Sequence, residues 1–220
     1  MDMISQLMKD NILKVEAVLG FWPANSDGDD IILFEDLTHS RELTRLHHLR
    51  QQTNKPNRQA NLCLSDFVAP LDTKIDDFIG GVAVTAGKGL EEIGEDYNAQ
   101  KDDYNAILVK AIADRLAEAF AEKLHEDVRK NYWVYSSNEY ISNEELIREQ
   151  YRGIRPAPGY PACPDHTEKE ALFALLNAPK EIGLKLTSHY AMSPTASVSG
   201  FYFSHPEARY FGVGKIDKDQ

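Results

Sequence analysis

Four prolines within nine residues, at positions 156, 158, 161 and 164, constrain the fold of this 220-residue chain more than any other feature. Each proline fixes its own φ and restrains the residue before it, so the segment Arg155–His166 is predicted to run extended and outside any helix. In an extended segment of this kind, the carbonyls and the remaining amides form no regular backbone hydrogen bonds with a neighbouring strand or helix turn. Those backbone groups are therefore predicted to be free to contact a ligand.

Three other residues of this segment have side-chain or backbone chemistry that suits a binding site. Arg155 carries a planar fork of donors that matches a carboxylate, Gly159 allows a ligand close to the backbone, and Tyr160 offers an aromatic face with a polar tip. The alternative is a rigid connecting loop with an ordinary surface arginine. Composition alone favours that alternative.

A long helix is the clearest secondary-structure prediction. Asp102 and Asp103 can cap its start, and apolar residues then recur mostly every three or four positions. The predicted apolar stripe comprises Tyr104, Ile107, Leu108, Ala111, Ile112, Leu116, Phe120, Leu124 and Val128.

Shorter helices are predicted in three other places. The polar segment 47–52 has a helical composition, and residues 142–145 form a capping box that opens a helix toward Tyr151, with Gly153 as a plausible stop. Residues 167–170 repeat the capping pattern before the apolar run 171–176.

Strands are predicted near both ends of the chain and before the long helix. The β-prone runs 18–24 and 31–34 flank an Asp-Gly turn and indicate a hairpin, and the glycine-punctuated apolar run 78–87 indicates a buried strand. Runs 198–203 and 208–213 indicate a second hairpin. Because helices and strands are segregated, we expect a single α+β domain with a twisted antiparallel sheet.

The overall charge argues against several kinds of partner. A formal net charge of −11 and the lack of a Lys/Arg run longer than two residues argue against nucleic acid and anionic membrane. No apolar run approaches the roughly 18–20 residues that a membrane-spanning helix needs. The N-terminus has no signal-peptide pattern and the two cysteines make no disulfide framework, so a cytoplasmic protein is expected.

The cysteines do not indicate a metal or nucleophile site either. Cys163 and His166 are separated by two residues, but a zinc site needs further ligands that are not evident, so no metal is expected. As a nucleophile, Cys163 lacks an identifiable base, so no catalytic residue is predicted in this chain.

Residues 155–169, Arg-Pro-Ala-Pro-Gly-Tyr-Pro-Ala-Cys-Pro-Asp-His-Thr-Glu-Lys, resemble the signature of the activation domain of cobalamin-dependent methionine synthase. Five further segments resemble the same domain in the same order, and together they cover nearly the whole chain. They are residues 21–25, 48–52, 64–70, 113–122 and 197–206.

The resemblance implies a function in cofactor reactivation. In this family the cobalamin cofactor is occasionally oxidised to inactive cob(II)alamin. The activation domain then presents S-adenosylmethionine to the cobalt while a flavodoxin-type protein donates an electron. Partners implied are therefore the cobalamin-binding module and the electron donor.

The resemblance also implies ligand-binding residues. Arg155, Ala157, Gly159 and Tyr160 would contact S-adenosylmethionine, with Arg155 on its carboxylate. More distant contacts implied by the resemblance are Asp66 on the amino group, Glu118, and the aromatic pair Tyr210 and Phe211.

Each of the distant contacts has an alternative. Glu118 could be a solvated helical carboxylate and Asp66 a turn or capping residue beside Pro70. On a strand, alternation would allow only one of Tyr210 and Phe211 to face the site, and Tyr210 is favoured.

The rest of methionine synthase has no counterpart in residues 1–220. There is no Asp-x-His-x-x-Gly cobalamin signature, no zinc-binding cysteine cluster, and no folate- or homocysteine-binding module. We therefore expect residues 1–220 to be one activation domain from a larger multidomain methyltransferase, without independent catalysis. A stand-alone S-adenosylmethionine-binding regulatory domain remains the alternative.

Overall fold

An antiparallel sheet of five strands organises the fold. The computed structural model describes residues 14–55 and 59–216, together with Met3, Leu7 and Lys9. Its strands are β1 (Lys14–Asp27), β2 (Asp30–Phe34), β3 (Glu42–His47), β4 (Asp77–Lys88), β5 (Lys185–Leu186), β6 (Met192–Ser193) and β7 (Ser197–Tyr202). The main sheet has the order β3-β2-β1-β4-β7, and β5 and β6 form a separate two-stranded ribbon.

Two strand predictions are confirmed. β1 and β2 form the hairpin around the Asp-Gly turn, with Asp27 paired to Asp30 and Gly28 at a φ of 64°. Gly28 suits this turn because a positive φ costs glycine little. The apolar run 78–87 lies in β4, the central partner of both β1 and β7.

Within residues 14–55 and 59–216 the α-helices lie between β4 and β5. They are α1 (Leu90–Ala99), α2 (Asp103–Asp127), α3 (Asn143–Ile147), α4 (Glu168–Leu176) and α5 (Ala178–Glu181). A π-helical turn, Val128–Tyr132, continues α2, and short 3-10 turns span Leu64–Phe67 and Leu71–Thr73. The segregated α+β fold that the sequence predicts is therefore confirmed. No helix in the described ranges is long and apolar enough to cross a membrane.

The long helix α2 begins as predicted, because the Asp102 carboxylate accepts a hydrogen bond from the Asn105 amide at 3.1 Å. The predicted apolar stripe is confirmed at the end of the helix, where Leu124 and Val128 are buried, but it is wrong at the start, since Tyr104 and Ile107 are 74% and 69% exposed. The face against the sheet instead consists mainly of small residues, namely Ala106, Val109, Ala113, Ala117 and Ala121. Small side chains let the helix backbone approach the sheet closely, which outweighs the larger apolar area on the other face.

The sheet separates two layers of apolar packing. Val82 and Val84 of β4 face α2, whereas Ile79 and Ala83 of the same strand face the cluster that contains α4. This is the alternation expected of a strand that is buried on both faces. The outer edge of β7 therefore lies between α2 on one side and α4 on the other.

Two predicted elements are absent because their backbone groups have other partners. Residues 48–52 are not helical: the Gln51 amide donates to Leu62 O at 2.9 Å and the Gln52 amide to Val213 O at 2.8 Å. Residues 208–213 do not form the second strand of a hairpin, since the Val213 amide donates to Pro161 O at 2.9 Å. Both segments are held by long-range contacts that local pattern does not reveal.

Two helix starts or ends also differ from the prediction. The capping box at Ser142 and Glu145 is present, but α3 ends at Ile147 instead of continuing toward Tyr151, and Glu149 then adopts a φ of 54°. At the start of α4 the capping acceptor is Asp165, which accepts from the amide and hydroxyl of Thr167 at 2.8 Å each.

Candidate functional site

A cavity of about 400 Å³ opens beside β7, between α2 and α4. It is the size of a small-molecule site and is lined by apolar groups with a few polar ones. The residues lining it are Glu118, Glu149, Arg155, Pro156, Ala157, Pro158, Tyr160, Pro161, Ala162, Lys169, Met192, Ser197, Val198, Ser199, Tyr210 and Phe211.

The proline segment forms one wall of this cavity. It pairs with β7 as far as Pro156 and then separates from the strand, which leaves space between them. Ile154 and Phe203 exchange backbone hydrogen bonds at 3.0 and 3.1 Å, and the Phe201 amide donates to Pro156 O at 2.9 Å. Gly200 permits this approach, since a Cβ there would lie 2.8 Å from Pro156 O. Beyond Pro156 no backbone hydrogen bond joins the two segments in the described chain. The cavity occupies this stretch of the β7 edge.

Residues 157–163 then form a tight turn that uses several of the amides predicted to be free. The Tyr160 amide donates to Ala157 O at 3.1 Å, and the Gly159 amide donates to Cys163 O at 2.7 Å. The Ala157 amide makes no hydrogen bond to the described part of the chain, so it remains available at the cavity wall.

Gly159 shapes this turn and does not line the cavity. Its φ is 96°, and a Cβ at this position would lie 2.2 Å from Cε1 of His166. Glycine is therefore required here by the backbone conformation and by the imidazole ring packed over it. The structure gives Gly159 a supporting position next to the predicted contacts Ala157 and Tyr160.

Arg155 has more donors than the chain uses. One terminal nitrogen, Nη2, lies 3.3 Å from Oε2 of Glu122, while Nη1 and Oε1 of Glu122 are buried without a hydrogen-bond partner. Burial alone would lower the pKa of Arg155, but Glu122 and the neighbouring tyrosines raise it, and the net direction is upward. A charged guanidinium with an unused N–H group thus lines the cavity.

The aromatic pair is held at the same end of the cavity. Tyr210 Oη accepts a hydrogen bond from the Arg155 amide at 2.9 Å, and Phe211 packs against Phe67 with ring centroids 6.4 Å apart. Both line the cavity. The expectation that only one could face the site assumed a strand, and this segment is not one.

Two carboxylates also line the cavity. Glu118 is an exposed residue of α2. Glu149 follows α3 and has a left-handed backbone conformation. With Arg155 and Lys169 they give the cavity two cationic and two anionic side chains. Such an arrangement suits a ligand that carries charges of both signs.

Asp66 lies in a separate, fully paired site. Arg50 donates to both of its oxygens at 2.8 and 2.9 Å, and the Cys63 amide donates to Oδ2 at 2.9 Å. Partial burial alone would raise the pKa of Asp66, but the hydrogen bonds from Arg50 and Cys63 lower it below its usual value. Asp66 does not line the cavity, and its position matches the alternative of a capping residue.

The structure brings together six of the eight residues that the sequence singled out, namely Glu118, Arg155, Ala157, Tyr160, Tyr210 and Phe211. Sequence reasoning missed several others that line the same cavity. Lys169, Ser197 and Ser199 lie inside segments that resemble the family, so a residue-by-residue reading of those segments could have found them. Glu149 and Met192 carry no comparable signal.

The cysteines show no sign of thiolate chemistry. Cys63 and Cys163 are free and buried, and burial raises the pKa of Cys163 to about 12. Within the described residues no group of three or more His, Cys, Asp or Glu side chains could hold a metal ion.

The fold and the cavity define an α+β domain with a cavity of small-molecule size at the edge of its sheet. More particularly, residues 1–220 match the family described as vitamin B12 dependent methionine synthase, activation domain. The chain belongs to this family, and the resemblance carried by residues 155–169 and five other segments is confirmed.

A solved structure supports the same assignment. The chain is similar to the crystal structure of the MetH reactivation domain bound to AdoHcy, with 55% sequence identity and a TM-score of 0.96. The similarity covers 100% of this chain and 67% of that chain. This domain is thus an activation domain of a methyltransferase.

Proposed function

We propose that the cavity beside β7 binds S-adenosylmethionine and that the domain presents it for the reductive methylation of cob(II)alamin. Two facts about Arg155 carry the proposal: its side chain lines the cavity, and its buried Nη1 has no hydrogen-bond partner. The similar MetH domain was crystallised with AdoHcy, the demethylated form of the same ligand.

The proposed contacts follow the charges of the ligand. The carboxylate of the amino-acid half would meet Arg155, since a carboxylate completes an unused guanidinium edge better than any neutral group. The ammonium and the sulfonium would lie toward Glu118 and Glu149, which line the same cavity. Tyr160, Tyr210 and Phe211 would add aromatic faces that favour a cation. The Ala157 amide offers one further donor.

Asp66 and Gly159 have different positions in this proposal. Asp66 is not among the proposed contacts, because Arg50 and the Cys63 amide already bind its oxygens. Gly159 acts indirectly, by allowing the turn that carries Ala157 and Tyr160.

Cobalamin would be supplied by another module, where its cobalt accepts the methyl group once one electron has been delivered. Methyl transfer to cob(II)alamin with one added electron yields methylcobalamin and S-adenosylhomocysteine. We propose a flavodoxin-type protein as the electron source and the cytoplasm as the compartment. Two free, buried cysteines are compatible with a reducing compartment.

The test has two stages. Isothermal calorimetry with S-adenosylmethionine and S-adenosylhomocysteine should show binding to one site, and a lack of binding to both would overturn the proposal. The domain is then mixed with a cobalamin module in its cob(II) state and a reduced flavodoxin. Conversion of the absorbance spectrum to that of methylcobalamin, only when S-adenosylmethionine is present, would support reactivation. Binding without conversion would favour the alternative of a regulatory binding domain.

A further inference from the structure

Lys169 is a buried cation at the cavity wall. It lies in the first turn of α4, is only 7% exposed, and lines the cavity. Its ammonium has two partners, Nδ1 of His166 at 2.9 Å and the carbonyl of Tyr190 at 3.2 Å. An ammonium has three N–H groups, so one donor is left over.

The charge of Lys169 is not neutralised by a carboxylate. Its ammonium forms no ion pair within residues 14–55 and 59–216, and its hydrogen-bond partners there are an imidazole nitrogen and a carbonyl oxygen. Burial lowers the pKa of Lys169, as expected for a cation that has lost water without gaining a counter-ion. Buried cations are usually paired, so a lone one that faces a binding cavity indicates an acceptor on the ligand.

Lys169 and Arg155 reach the cavity from opposite faces of the sheet. Arg155 pairs with Glu122 of α2 at 3.3 Å, and α2 packs on one face. Lys169 lies on α4, which packs on the other face, and its ammonium contacts the Tyr190 carbonyl.

We propose that Lys169 donates a hydrogen bond to an acceptor in the nucleoside half of the ligand, an adenine ring nitrogen or a ribose oxygen. The inference rests on the proposed function, in which Arg155 takes the carboxylate on the α2 side of the cavity. An elongated ligand with an amino-acid half and a nucleoside half then spans the cavity between two cations. Lys169 is accordingly a specificity residue for the nucleoside.

Two ligands distinguish the proposed nucleoside contact of Lys169 from the proposed carboxylate contact of Arg155. S-adenosylhomocysteine contains both halves, whereas 5′-methylthioadenosine lacks the amino and carboxyl groups. The variant Lys169→Met should weaken both ligands by a similar factor of about 10, because each keeps the nucleoside. Arg155→Ala should weaken S-adenosylhomocysteine alone. Lys180→Met, an exposed lysine of α5, is the matched control and should change neither affinity.

Each other outcome counts against the role of Lys169. An unchanged affinity of K169M for 5′-methylthioadenosine would overturn it, and so would a loss confined to S-adenosylhomocysteine. Wild-type protein that binds S-adenosylhomocysteine but shows no millimolar affinity for 5′-methylthioadenosine would also overturn it. Wild-type protein that binds neither ligand would instead overturn the proposed function itself.

A measurement on the wild type covers the case in which K169M does not fold. In protein labelled with ¹⁵N at the lysine side chains, the Lys169 Nζ resonance should shift on addition of 5′-methylthioadenosine and stay in place on addition of homocysteine. A shift produced only by homocysteine, or by neither compound at saturation, would contradict the proposal.

Discussion

Arg50 and Arg155 both lie against carboxylates, but the chain uses their N–H groups to very different extents. Arg50 donates to both oxygens of Asp66, to Asp29 at 2.6 and 2.9 Å, and to the Asn61 carbonyl at 2.8 Å. Within the described part of the chain, the Arg155 side chain makes one hydrogen bond, at 3.3 Å to Glu122, and leaves Nη1 unpaired. Arg155 is nevertheless the more buried of the two, with a side chain 15% exposed against 33%.

The difference shows which arginine can still bind something. A saturated guanidinium holds chain segments together, and it has no donor left for a ligand. A buried guanidinium with an unused N–H group has lost its hydrogen bonds to water and has not replaced all of them with bonds to the protein. A ligand carboxylate can therefore supply the missing hydrogen bond. On this basis we propose that Arg50 and Asp66 are structural and that Arg155 belongs to the binding site.

The largest expected effect comes from removing the unsaturated arginine. Arg155→Ala should lower the affinity for S-adenosylhomocysteine roughly 100-fold, because it removes the charged partner of the ligand carboxylate. Calorimetry measures the loss, with Arg148→Ala, an exposed arginine just after α3, as the control. An affinity of R155A within a factor of three of wild type would contradict the proposal that the unpaired arginine binds the ligand carboxylate.

The saturated pair should show the opposite behaviour. Asp66→Asn should lower the free energy of unfolding by about 1–3 kcal/mol, the usual cost of leaving a charged hydrogen-bonding partner unpaired, and leave ligand affinity unchanged. Urea denaturation and calorimetry measure the two quantities, and Asp72→Asn in the exposed turn nearby is the control. A large loss of affinity in D66N would return Asp66 to the ligand site that the resemblance implied.

The carboxylate beside Arg155 should matter less to stability than Asp66 does. Glu122→Gln should change the free energy of unfolding by about 1 kcal/mol or less, because its side chain is 36% exposed and makes one long contact. The same urea titration serves here. A loss larger than that of D66N would mean that Arg155 and Glu122 are also a structural pair.

The smallest expected effect is a difference in acid stability. Because the pKa of Asp66 is lowered in the folded state, its ionised form stabilises the fold above the unfolded value of 3.8, and this contribution is lost as pH falls through the lower folded pKa. Stability measured between pH 5 and pH 2 should therefore fall less steeply in D66N than in wild type. Parallel curves would mean that Arg50 does not favour the ionised carboxylate.

Local sequence could predict the elements whose partners are near in the chain. The β1–β2 hairpin follows from an Asp-Gly turn between two β-prone runs, and the start of α2 follows from a capping aspartate. The face that α2 buries could not be predicted, because Tyr104 and Ile107 have the larger apolar area. The alanines are buried because a close approach to the sheet requires small side chains, and that requirement comes from the partner surface.

The candidate site shows the same limit. The proline spacing predicts an extended strip, but not that Pro156 pairs with β7 while the next residues leave it. For Asp66 the resemblance implied a ligand contact, whereas the spatial neighbour that occupies its carboxylate, Arg50, lies 16 positions earlier in the chain. Glu149 joins the cavity through a left-handed turn after α3 that the sequence pattern does not indicate.

The pairing of Ile154 and Pro156 with β7 has a consequence for solubility. A sheet edge with free amides and carbonyls is a template for adding strands from other molecules, and here it is the proline strip that covers part of the β7 edge. Prolines 156 and 158 cannot donate to an incoming strand, so the strip does not itself extend the sheet. The proline strip thus leaves less of the β7 edge open to pairing with another molecule.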